Sequence, residues 1–363
     1  MIPLIHPLIT EEAIARVGAI LRSGMLVQGD EVRAFEEALA ARVGRKHAIA
    51  VSSGTAAIEL ALRAAELPAG AEILIPGLSW PSPANIAMAH GYRPRLVDVD
   101  LDEWNARGEA YAAARNERTA AAIIIDQFGS PVRQRELREA LDGLVVIEDA
   151  ACALGSSGEE RMAGAFGLIS CFSFHPRKIL TTGEGGACLT DDDAIAERLR
   201  ALRNHGQRAP GEFIVASGNY RLTEFAAALG SAQLPRLEDE IAARRRVSDR
   251  FRSALSEIFT PQRIAGGAQS NMQTFGLLLP AEIAKSERER DEFLAALRES
   301  GVMATRLSYA LHRIETLGRH PRLINAEAIE TRGVAIPCHG GLSEQDVEFI
   351  IERLLGAARR AGS

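Results

Sequence analysis

The sequence predicts an α/β protein: a mostly parallel sheet covered by helices on both faces, followed by a smaller α+β region. Three observations carry this. Short apolar runs recur between residues 47 and 190 and alternate with segments of helical periodicity. The polar residues with chemical potential fall at the carboxyl ends of those runs, where open α/β sheets place their ligands. After about residue 235 the texture changes to a long charged helix and mixed short elements.

Residues 11–22 have helical spacing, with Ile14, Val17 and Leu21 on one face. Gly24–Gly29 is a turn-rich break, and a second amphipathic helix is expected over 31–43. Seven strands follow, at His47–Val51, Glu72–Ile75, Arg95–Val99, Ala121–Ile125, Leu144–Glu148, Ile169–Phe174 and Gly186–Thr190. Most are too short for helices and several are rich in β-branched residues. Beyond them the spacing predicts helices at 236–258, 287–300 and 344–358, with strands at 272–279 and 302–307. These elements divide the chain into a large domain, 1–235, and a small one, 236–363.

With 363 residues the chain can bury a sizeable core. The formal charge of -6 argues against general affinity for nucleic acid. Cys152, Cys171, Cys188 and Cys338 have neither metal-ligand nor CxxC spacing, so no metal site and no disulfide framework are expected. There is no signal-peptide pattern, and no charge-free apolar stretch of about 20 residues that could span a membrane. A cytoplasmic protein with reduced thiols is expected.

Four motifs stand at strand ends. Ser52-Ser53-Gly54-Thr55 opens the helix Thr55–Glu66, and a helix N-terminus offers unpaired N–H groups and a positive dipole end to a phosphate. A plain serine cap reads the same way. Trp80 follows the next strand and suits either stacking on a planar ring or packing in a core. Glu148-Asp149 ends an apolar strand, where a carboxylate needs a partner. Ser173-Phe174-His175-Pro176-Arg177-Lys178 leaves another strand and enters the turn Thr181–Gly186. A lysine there is either a solvated surface lysine or an amine poised for covalent chemistry. His205 and His312 are further candidates.

In this order the motifs resemble those of the fold type I pyridoxal-phosphate enzymes, and of these the DegT-type sugar aminotransferases. The likeness spans nearly the whole chain. Its blocks are Met25–Phe35, Ser52–Leu62, Ile147–Gly155, Ser173–Gly186, Gly218–Leu234 and the segment from Ile336-Pro337 to Leu342-Ser343-Glu344. The resemblance implies a seven-stranded, mostly parallel sheet flanked by helices. It makes Lys178 the Schiff-base lysine and proton shuttle, and pairs Asp149 with the pyridine nitrogen. Trp80 would stack on the ring, and Ser53, Gly54, Thr55 and Ser173 would hold the phosphate. Asn219, in Asn219-Tyr220-Arg221, would reach the phosphate of a neighbouring subunit, so the resemblance also implies a homodimer with shared sites.

Two positions depart from the family pattern. Cys152 stands where a glutamine is usual beside the cofactor's ring hydroxyl, and a thiol is the weaker hydrogen-bond partner. Asp126 stands where a histidine is common. The implied reaction takes an amino group from glutamate or glutamine, carries it as pyridoxamine phosphate, and delivers it to a keto sugar, nucleotide-linked by family habit. Arg221, Arg306, Tyr309 and His312 are candidate substrate contacts. The rival readings are amination of a cyclitol ketone, a sugar dehydratase and a non-catalytic sensor. Dehydratase relatives replace the lysine by histidine, and here only His175 lies close in sequence to Lys178.

Overall fold

The computed structural model describes residues 1–361. Its main sheet uses all seven expected strands, here β1 (His47–Val51), β2 (Glu72–Pro76), β3 (Arg93–Val97), β4 (Thr119–Ile125), β5 (Val145–Asp149), β6 (Ile169–Ser173) and β7 (Gly186–Thr190). Their order across the sheet is β1-β7-β6-β5-β4-β2-β3. Strand β7 runs antiparallel to both neighbours, and the remaining pairings are parallel. The central strands are buried on both faces, as a helix-covered parallel sheet requires: Ile123, Ile124, Ile147 and Ile169 are fully enclosed.

Register decides what meets at the sheet edge. Ile125 lies opposite Asp149, Asp149 opposite Cys171, Ser173 opposite Gly186, and Gly186 opposite Val51. The ends of β1, β5 and β6 therefore converge, and with them the segments that begin at Ser52, Asp149 and Ser173.

A second sheet has four antiparallel strands, in the order Thr260–Pro261, Phe275–Leu278, Gly333–Ile336, Thr305–Arg306. Helices Leu237–Leu255, Glu287–Glu299 and Glu344–Ala361 share its core, where Phe251 and Phe275 pack with ring centroids 5.3 Å apart. The charged helix stops at Leu255 and not at 258, and only Thr305–Arg306 of the expected strand 302–307 joins a ladder. A two-residue ladder, Ser79 with Tyr309 and Leu78 with Ala310, ties the segment after β2 to the chain beyond Arg306.

The first two helices, Glu11–Ser23 and Asp30–Val43, form as the spacing predicts. Thr10 caps the first, its hydroxyl accepting from Ala13 N at 3.2 Å. Its apolar stripe does not face this chain's own core, however: Ile14 is 53% exposed and Leu21 54%. Among the described residues no helix is long and apolar enough to cross a membrane, and no group of three or more His, Cys, Asp or Glu could hold a metal ion.

Candidate active site

A cavity of about 360 Å³ lies between the carboxyl edge of the main sheet and the second sheet. Asp149, Cys152 and Lys178 line its sheet side, and Trp80, Arg306 and Tyr309 its other side.

Lys178 follows β6 in a tight turn, its N–H donating to His175 O at 2.8 Å. Its Nζ reaches Cys152 Sγ at 2.9 Å. Asp149 closes β5 and is buried; its Oδ1 accepts from Ala151 N at 3.1 Å. Burial pushes the Asp149 carboxyl above the ordinary carboxylate range, and the positive charge of Lys178 pulls against that rise. The cavity thus holds an amine and, near it, a carboxyl whose charged form needs a cationic partner.

The helix Gly54–Ala64 starts beside this edge. Ser53 caps it, its Oγ accepting from Ala56 N at 3.0 Å, so the Ser53 hydroxyl acts as a helix cap. The N–H groups of Gly54 and Thr55 keep the free-donor character of a helix start. Thr55 Oγ1 accepts from Ser82 Oγ at 2.9 Å. Gly54 packs tightly on β6: a Cβ there would stand 2.7 Å from Ser173 Cβ. Gly54→Ala should therefore cost about 1–3 kcal/mol by overpacking and weaken phosphate retention. Denaturant titration with and without added cofactor measures both; unchanged values would remove the close contact as the reason for glycine.

Trp80 is 63% exposed and meets Tyr309 edge-on, with centroids 5.6 Å apart and planes at 72°. Its indole lines the cavity. Asn219 is exposed and outside the cavity; its Oδ1 accepts from Arg221 N at 3.2 Å. Within one chain, then, Asn219 and Arg221 are not brought to Lys178. His205 and His312 also lie elsewhere, His312 with its Nε2 3.5 Å from the Glu327 carboxylate. His175 does not line the cavity: its Nδ1 accepts from Arg177 N at 3.1 Å, and burial lowers its imidazole pKa.

Asp126 is almost wholly buried and its Oδ1 accepts from Val132 N at 2.9 Å. Burial, then the charge of Glu148, push its carboxyl well above the ordinary range. Glu148 accepts from the Gly164 and Phe166 N–H groups, both at 2.8 Å.

Several lining residues carried no signal in the sequence. Leu4 and Ile5 come from an N-terminal strap held by the hydrogen bonds Ile2 N to Gly301 O at 2.8 Å and Met303 N to Ile2 O at 3.0 Å. Arg244 and Gln273 arrive from the second sheet and its long helix. Arg244 reads as an ordinary i,i+4 partner of Glu240 on a charged helix, yet it is 6% exposed and also donates to Cys338 O at 2.9 Å.

The donor set suits pyridoxal phosphate: a free amine, an enclosed carboxyl for a ring N–H, an aromatic face, and a glycine-bearing helix start for the phosphate. Fold and site together define a pyridoxal-phosphate-dependent transferase with a mixed seven-stranded sheet. The chain belongs to the DegT/DnrJ/EryC1/StrS aminotransferase family, whose sequence pattern matches residues 7–355. It is accordingly a pyridoxal-phosphate-dependent aminotransferase.

Solved structures agree. The aminotransferase TlmJ from Streptoalloteichus hindustanus is 28% identical, with all of both chains covered and a TM-score of 0.93. Helicobacter pylori PseC, an aminotransferase involved in the biosynthesis of pseudoaminic acid, is 27% identical over 99% of each chain, with a TM-score of 0.93. DesV of S. venezuelae, solved in complex with a ketimine intermediate, is 29% identical over 96% of this chain and 95% of its own, with a TM-score of 0.90.

Proposed function

We propose that this enzyme converts a keto sugar, carried on a nucleotide, to an amino sugar, with glutamate or glutamine as amino donor. The observation that carries the reading is the meeting of Lys178 and Asp149 in one cavity. Family membership and the likeness to an aminotransferase of a sugar-acid pathway support the sugar acceptor.

In this reading Lys178 holds the cofactor through Nζ. The same Nζ would take the proton from the donor α-carbon and later return one, as base and then acid. The bound cofactor supplies the electron sink that makes this carbon acidic. Asp149 keeps the ring nitrogen protonated, and Trp80 packs on the ring. Gly54, Thr55 and Ser173 hold the phosphate, with Ser53 as the cap that orients the donors. Cys152, with Sγ 2.9 Å from Lys178 Nζ, would lie beside the ring hydroxyl.

A homodimer completes the proposal. Asn219 would serve the phosphate of the other subunit, which accounts for its exposed position outside this chain's cavity. The exposed Ile14, Leu21, Met25 and Val27 form the apolar surface that such a partner would cover. We further place the division between the domains at residues 235/236 and the protein in the cytoplasm.

The test is a two-stage conversion. Holoenzyme incubated with L-glutamate or L-glutamine should lose its visible absorption band and release the matching keto acid. A nucleotide-linked keto sugar added next should restore the band and appear in mass spectra with its ketone replaced by an amine. Restoration by cyclitol ketones alone, or release of water from the sugar without nitrogen transfer, would overturn the reading.

A further inference from the structure

The cavity wall opposite Lys178 carries charge that the fold itself does not neutralise. Its acids, Asp126 and Asp149, both lie on the main-sheet side. Its guanidiniums are Arg177, Arg244 and Arg306. Arg244 is committed, with Nε on Glu240 Oε1 at 2.8 Å and Nη1 on Cys338 O at 2.9 Å. Arg177 is exposed at the rim. Arg306 is half-buried, and among the described residues no carboxylate pairs with it.

Arg306 is also held in place. Its backbone is laddered against Val334, and its guanidinium carbon sits 5.2 Å from the centroid of Tyr309. Tyr309 is fixed in turn by its ladder partner Ser79 and by the edge-on ring of Trp80. Stacking leaves the edge of the guanidinium free, and that edge is the fork that matches a carboxylate with two parallel hydrogen bonds. A guanidinium restrained before its ligand arrives loses little freedom on binding.

Every α-amino acid donor brings a carboxylate on the carbon whose proton Lys178 moves. In a partly dry cavity that carboxylate needs a cation, and Arg306 is the restrained one that is unspent. We propose that Arg306 is the specificity-determining residue that receives the α-carboxylate of the amino donor. The assignment rests on the aminotransferase reading of this cavity and deepens it.

The experiment uses holoenzyme with Arg306→Gln and Arg306→Lys. Single-turnover spectra with L-glutamate give the donor's apparent Kd, and calorimetry with glutarate gives carboxylate affinity without any chemistry. We expect Arg306→Gln to weaken both by about 30-fold or more. Arg306→Lys, which keeps the charge without the fork, should lose less. The acceptor half-reaction should keep its apparent Kd, and circular dichroism should show an unchanged fold. Equal glutarate and glutamate affinity in wild type and Arg306→Gln overturns the proposal. So does a loss confined to the acceptor half-reaction, which would give Arg306 to the acceptor's phosphates. If no amino acid bleaches wild-type enzyme while glutarate binding still depends on Arg306, the donor reading fails and the carboxylate assignment stands.

Discussion

Lys178→Ala should abolish covalent retention of the cofactor and slow amino transfer by roughly 10²–10⁴-fold through loss of proton transfer alone. The size of the effect follows from the double use of one amine. In the proposed reading Nζ is both the anchor and the mobile base, so no other group could substitute for it in both roles. Cys152 Sγ, at 2.9 Å, is the nearest alternative nucleophile, but a thiol there cannot supply the nitrogen of the link. The measurement is borohydride reduction followed by peptide mass spectrometry. Wild-type protein should carry the reduced cofactor on the Lys178 peptide, and the variant on none. Lys178→Arg, which keeps the charge, should also lose the linkage. A reducible link surviving in Lys178→Ala would place the covalent chemistry elsewhere.

Asp149→Asn should lower turnover by about 3–5 kcal/mol of lost pairing, roughly 10²–10⁴-fold, while leaving Lys178 chemistry intact. Its effect on stability should have opposite signs with and without cofactor. Burial raises the folded-state pKa of Asp149. In the cofactor-free protein the unfolded chain therefore releases this proton first. Stability is lost as pH rises from the ordinary carboxyl range towards the raised value, and the penalty is complete above it. Asparagine escapes that penalty, so cofactor-free Asp149→Asn should gain on wild type between acidic and neutral pH. Holoenzyme should show the reverse, because the ring cation offsets the burial cost only for the carboxylate. Chemical denaturation at several pH values, with and without cofactor, measures both signs. The same sign in both states would make Asp149 merely structural.

The main sheet was legible because most of its strands are apolar runs too short for helices, several of them rich in β-branched residues. Lys178 and Asp149 stood out as candidates because they follow those runs in sequence, and the family resemblance gave them their proposed roles. What escaped has a common cause in distance along the chain. Gly333–Ile336 is a strand only because Phe275–Leu278 lies beside it, and of the expected strand 302–307 only Thr305–Arg306 joins a ladder. Arg244 has the spacing of a solvent-facing helical ion pair, and only the packing of the second sheet buries it. The periodicity of residues 11–22 located a helix correctly, but Ile14 and Leu21 of its apolar stripe face outward from this chain.

The short ladder between Leu78–Ser79 and Tyr309–Ala310 gives the cavity an unusual mechanical character. It fastens the segment bearing Trp80 directly to the segment bearing Arg306 and Tyr309. In the proposed reading, the surface that would cover the cofactor ring and the surface that would meet the donor are thereby joined through two residue pairs. Donor and acceptor would use this panel in turn, and the stitch makes its shape common to both visits.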